Sequence, residues 1–182
     1  MKYLLLFLLF MTFTPKAFGV NCNVHKIYCK VLELRPDIDK KWAMKFSDII
    51  YKKAKEYNLD PMISIAIVMQ ESSIRKINRK EKVLIQKETC DDLGECSMTY
   101  KVVTGYSDLS IWQFHIDTLL NFKIDPIRVQ TDLEYATDFH FKLLKHKIKK
   151  CSKHKDLAWS CYHSATERHR LKYVEDVSRY LK

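Results

Sequence analysis

Glycine is scarce in this chain, three in 182 residues, and proline numbers only four. An all-β protein built on tight turns draws heavily on both, so the shortage argues against that class. No internal repeat and no low-complexity linker is present, which leaves one domain with one core. No Cys-x-x-Cys pair and no His-Glu-x-x-His motif occurs, so the two common sequence patterns of zinc sites are missing. His140 and His146, like His163 and His169, are six apart and do not share a helical face at the i, i+4 spacing; solvated or core histidines are the expectation, with no metal and no cofactor.

What is present begins with a leader. Lys2, the apolar run Leu4 to Phe13 and the small residues around Ala17-Phe18-Gly19 read as a secretory signal over residues 1–19, and the apolar run is too short for a stable bilayer span. A retained anchor is the alternative. Asn21 before Cys22 is a poor match to a lipoprotein site. All six cysteines follow the leader (Cys22, Cys29, Cys90, Cys96, Cys151, Cys161), and an even number in an exported chain points to disulfides. Six cysteines allow fifteen pairings. Neighbour pairing, 22–29, 90–96 and 151–161, is the simplest, each closure stabilising by about 2–3 kcal/mol. The expected location is periplasmic or secreted. The formal charge of +10 favours polyanions, and export makes a bacterial wall or an anionic membrane a better partner than nucleic acid.

The domain, residues 20–182, reads as mostly helical. Residues 37–57 carry Trp42, Phe46, Ile49, Ile50, Ala54 and Tyr57 at helical spacing. Asp60 and Pro61 then read as N-cap and first position of a helix over 61–72. Its residues Met62 to Gln70 carry no charge, so the helix is expected to be buried. Glu71 ends that run. A carboxylate there is desolvated and its pKa rises toward neutral, as a general acid requires; a structural Glu paired with Lys or Arg is the other reading. Runs from Lys82 to Lys87 and Met98 to Val103 flank the turn-rich segment Cys90–Cys96 and predict a β-hairpin lobe. Further helices are expected near 117–122, from a Thr131/Glu134 capping box to about 149, centrally from Asp156 to Ala165, and over 167–181 through Leu171, Val174, Val177 and Leu181.

Met69-Gln70-Glu71-Ser72-Ser73 resembles the Glu-Ser motif of the soluble lytic transglycosylases, relatives of goose-type lysozyme. Tyr106 to Phe114 resembles that family's Gly-Leu-Met-Gln-Ile segment. Ala158 to Ala165 resembles its Ala-x-Tyr-Asn-Ala-Gly segment, followed by a helix carrying Tyr173-Val174. The likeness runs from roughly residue 40 to 180. It implies a lysozyme-like (α+β) domain, here stapled by disulfides, with the hairpin lobe as one wall of a sugar cleft. It also implies cleavage of the bond between N-acetylmuramic acid and N-acetylglucosamine in peptidoglycan, with Glu71 as single acid and base. Ser72, Gln113, Tyr162 and His163 take substrate-binding positions by the same likeness. Unlike the family, the chain has Ser110 for Gly, Trp112 for Met and His163 for Asn, and lacks the Gly after it. These departures bear on the shape of the groove.

A second carboxylate that placed a water would make the enzyme a hydrolysing lysozyme; Glu81, Glu88, Asp91, Asp92, Glu95 and Asp108 all fall in the segment expected to border the cleft. Two other classes remain open, a non-catalytic wall-binding or inhibitory module and a basic protein that perturbs membranes. The partners expected are glycan strands, with a secretion or conjugation apparatus as a further candidate. No nucleic acid, no stable membrane insertion and a monomer complete the expectation.

Overall fold

The computed structural model describes residues 22, 25–75, 84–102, 108–164 and 166–182. The leader, Glu81, Lys82, Val83, Val103, Tyr106, Ser107 and Ala165 lie outside the described residues. Three helices come first: α1 Lys26–Leu34, α2 Lys40–Tyr57 and α3 Pro61–Ser72. A hairpin follows, β1 Leu84–Cys90 with β2 Cys96–Val102, and then a two-residue ladder of β3 Asp108–Leu109 with β4 Phe114–His115. Helices α4 Ile116–Asn121, α5 Pro126–Thr131 and α6 Leu133–Lys150, a 3₁₀ stretch Ser152–Tyr162 and α7 Glu167–Ser178 complete the order. The protein is mostly helical with a small antiparallel hairpin. No helix among the described residues is long and apolar enough to cross a membrane.

Local chemistry explains most boundaries. Asp39 accepts from the Trp42 amide and starts α2; Asn58 ends it in the left-handed region at φ 56°. Asp60 accepts from the Met62 amide and Pro61 opens α3, where a missing N–H matters least. Every residue from Ser64 to Met69 is buried, as an uncharged run requires. At the hairpin tip the Asp91 carboxylate accepts from the Leu93 and Glu95 amides, and Gly94 supplies the φ of 80°, an Asx-type turn. The register pairs Cys90 with Cys96, and disulfides join Cys22–Cys29, Cys90–Cys96 and Cys151–Cys161. Neighbour pairing is therefore correct at all three.

The core gathers Phe46 and Ile50 of α2, Ile65 and Ile67 of α3, Phe139, Phe141 and Leu144 of α6, and Trp112 from the loop after β3. Helix α3 packs against α1, α2 and α7, and α2 packs in turn against α1 and α6.

Three expectations need correction. Thr131 is not the cap of α6. Its hydroxyl donates back to the Ile127 carbonyl at 3.1 Å as the last residue of α5, and the stronger acceptor Asp132 caps α6 through the Tyr135 amide at 3.0 Å. The central helix over 156–165 is instead the 3₁₀ stretch. Cys151 and Cys161 have Cα atoms 6.3 Å apart, whereas ten residues of straight 3₁₀ helix span about 20 Å. The segment is thus a succession of 3₁₀ turns folded back on itself, a path that no straight helix satisfies. On α7, Leu171 and Leu181 are 49% and 40% exposed, while Arg170, Tyr173 and Val177 face inward. The helices α1 and α5 are absent from the sequence expectations; α1 does carry an apolar stripe, Ile27, Tyr28 and Val31 buried at helical spacing, whereas α5 has only six residues to show one.

Candidate active site

Glu71 occupies the last turn of α3, immediately before two residues in the left-handed region, Ser73 at φ 55° and Ile74 at φ 51°. A β-branched residue there is strained by about 1–3 kcal/mol. Full burial of Ile74 holds it in place, and the Arg35 guanidinium, itself paired with Asp37, donates to the Ser73 carbonyl. The end of α3 is therefore locked, and Glu71 with it.

No lysine or arginine pairs with Glu71 among the described residues. Its single hydrogen-bond partner there is Tyr173, whose Oη donates to Oε1 at 2.7 Å. Burial pushes the Glu71 pKa up; the Tyr173 bond opposes this, and the nearby negative charge of Asp108 adds to it. The outcome is a carboxyl that keeps its proton above the ordinary glutamate range. The same side chain borders an open cleft of about 420 Å³, lined also by Asp108, Gln113, Tyr162, His163 and Lys147.

Gln113 reaches the cleft on a loop of unusual backbone. Ser110 at φ 63° and Gln113 at φ 50° are both left-handed. Glycine is the residue that adopts this conformation without a Cβ penalty. Here the serine side chain compensates, since its Oγ accepts from the Trp112 amide at 3.1 Å. The Gln113 amide side chain donates to the Ser110 carbonyl at 2.7 Å, and the residue lines the cleft. We expect Ser110→Ala to lose about 1 kcal/mol, because strain stays and the cap goes. Ser110→Gly is expected to stay within about 0.5 kcal/mol of the parent, the relieved strain offsetting the lost bond. Urea unfolding of the two variants checks this ordering; a greater loss for Gly than for Ala contradicts it.

Tyr162 is buried beside Glu71 and is the outer end of a polar chain through the core. Its hydroxyl bonds His140 Nδ1 at 3.1 Å, and His140 Nε2 bonds Ser64 Oγ at 3.1 Å. His140 is fully buried and stacks on Trp112 with ring centroids 3.7 Å apart. Burial drives its pKa well below the usual histidine value, so the ring is neutral, one nitrogen donating and the other accepting. Tyr162 in turn stays protonated, held up by burial and by the Glu71 charge. The chain thus fixes the Tyr162 hydroxyl against α3 and α6 at once.

Glu71, Gln113, Tyr162 and His163 meet at one cleft. Ser72 does not join them; its hydroxyl donates back to the Val68 carbonyl at 3.2 Å, a common arrangement for helical serine. His163 is exposed and lies flat on Tyr173, centroids 4.8 Å apart. Of the acids expected to border the cleft, Asp108 reaches it, while Asp91, Asp92 and Glu95 sit exposed at the hairpin tip; the Glu88 side chain, like Glu81, is outside what is described. Lys147, half-buried, adds a cation whose pKa is lowered by burial and by Lys150. Tyr173, His140 and Lys147 escape sequence reasoning as site residues. Tyr173 alone had a signal, through its place in the helix after the last resembling segment.

Cys151, His154 and Cys161 offer ligand atoms within 4.8 Å of one another, but the two sulfurs are bonded to each other and supply no thiolate. A scan of protein-family models finds no match to the chain, and neither curated proteins nor solved structures yield one.

Proposed function

We propose that the protein is an exported peptidoglycan-cleaving enzyme of lysozyme-like architecture, a lytic transglycosylase acting in the periplasm or after secretion. The observation that carries this reading is Glu71: a carboxyl with no cationic partner among the described residues, its pKa raised by burial, at the edge of an open cleft. In the reaction Glu71 protonates the oxygen joining N-acetylmuramic acid to N-acetylglucosamine. The departing sugar leaves as an alcohol, and the muramoyl acetamido group stabilises the cationic centre. Glu71, now a carboxylate, removes the proton of the C6 hydroxyl, whose oxygen closes the 1,6-anhydro ring. The proton returns to Glu71 and no water is consumed. Because the nucleophile belongs to the same sugar, proximity supplies much of the rate. Tyr173 holds the carboxylate between the two proton transfers, and Gln113 suits an N-acetyl group.

Asp108 favours a second reading. It shares the cleft with Glu71 and its charge is felt there; a water activated by it would convert the reaction to hydrolysis. Mass analysis of digested, purified peptidoglycan separates the two. Anhydro ends, lighter than hydrolysed ends by one water, are the expected product. Reducing ends alone would give the reaction to the Asp108 hydrolase, and no fragments at all would leave a wall-binding module without turnover.

A further inference from the structure

Glu71 and His163 border a second hollow, of about 540 Å³ and lined also by Gln70, Arg168, His169, Lys172, Tyr173 and Asp176. It carries an arginine, which the lining of the first lacks. Arg168 and Lys172 stand one turn apart on the same face of α7, and both are exposed. Arg168 has no ion-pair partner among the described residues. Asp176 pairs with Arg179 and, at 3.4 Å, with the Lys172 ammonium, which leaves Arg168 as the lining cation outside that network. The imidazoles of His163 and His169 add donors at the same rim.

We propose that this hollow is a subsite for the carboxylate-bearing peptide arm of the wall glycan. The inference rests on the reading of Glu71 as the group that cuts that glycan. A strand whose bond lies at Glu71 extends to both sides of it. On one side the cleft combines the Gln113 amide and the Thr118 and Tyr162 hydroxyls, which match sugar groups, with Asp108 and Lys147. The cations on the other match the acidic arm carried by the muramoyl sugar, with Arg168 able to hold a carboxylate through two parallel bonds and Lys172 as a point charge one turn on.

The test uses the chain with its disulfides formed and measures binding by calorimetry at low ionic strength, where exposed charges are least screened. The probes are a synthetic stem-type tetrapeptide with free carboxylates and the same peptide with its carboxylates amidated. The free acid is expected to bind about fivefold or more tightly than the amide, a difference in keeping with two exposed ion pairs. The double variant Arg168→Ala/Lys172→Ala removes that difference, and Lys172→Arg keeps it. Equal affinity for the two peptides, or a difference that survives in the double variant, overturns the subsite and marks the face as an ordinary solvated one. Because peptide binding is read without turnover, its failure in a protein that still lyses walls condemns the subsite alone. Preserved binding in a protein that never lyses them condemns the catalytic reading instead.

Discussion

Glu71→Gln is expected to reduce lysis of purified peptidoglycan by about 10²–10⁴-fold, the range a positioned general acid contributes. Glutamine keeps the shape and can still accept from Tyr173, but it carries no transferable proton. The same substitution carries a signed stability effect. Burial raises the Glu71 pKa in the folded chain, so between the unfolded and folded values the native state binds more proton than the unfolded one. Stability from this group is complete below the ordinary glutamate value and falls as pH rises through the folded value. Glutamine mimics the protonated form at every pH. Urea unfolding at about pH 4 should therefore find the two proteins alike, and at about pH 8 the variant should be the more stable. A variant less stable at both, or one that lyses walls at the wild-type rate, would show that the carboxyl is structural.

The parts of this arrangement visible beforehand are those that depend on neighbours in sequence. Asp60, Pro61 and the uncharged run after them predict α3 with its observed bounds. The acidic loop between two cysteines marks the hairpin, and each cysteine finds its nearest partner. The contacts that make the site were invisible because they join distant residues. Tyr173 meets Glu71 across 102 positions, and His140 meets Ser64 across 76. Nothing in local composition tells a core histidine that bonds a cleft tyrosine from one that merely fills space. α5 was missed for a related reason: six residues between Pro126 and Thr131 are too few to display a periodic pattern. The exposed Leu171 shows the converse, since helical spacing cannot say which of two faces meets the core when the buried set includes Arg170 and Tyr173.

Trp112 is the residue whose loss should damage the fold most. It is fully buried, lies on His140, tilts against Phe46 at a centroid distance of 6.1 Å and directs its indole N–H toward Thr137 Oγ1 at 3.4 Å. It is also the anchor of the loop 110–113. Two residues of that loop, Ser110 and Gln113, hold positive φ angles, a conformation that persists only where packing over-determines it. Trp112→Ala is expected to cost about 3–5 kcal/mol. For a domain of this size that lowers the melting temperature by roughly 6–20 °C, at about 2–4 °C per kcal/mol. The damage reaches the cleft by two routes. The loop that presents Gln113 loses its anchor, and the imidazole that holds Tyr162 loses the face it stacks on. Trp112→Met fills more of the space than alanine and should cost about 1–3 kcal/mol. Thermal and urea unfolding rank the three proteins. An alanine variant within about 1 kcal/mol of the parent would mean that the loop is held by something other than this indole, and the link drawn from Trp112 through His140 to the cleft would fail with it.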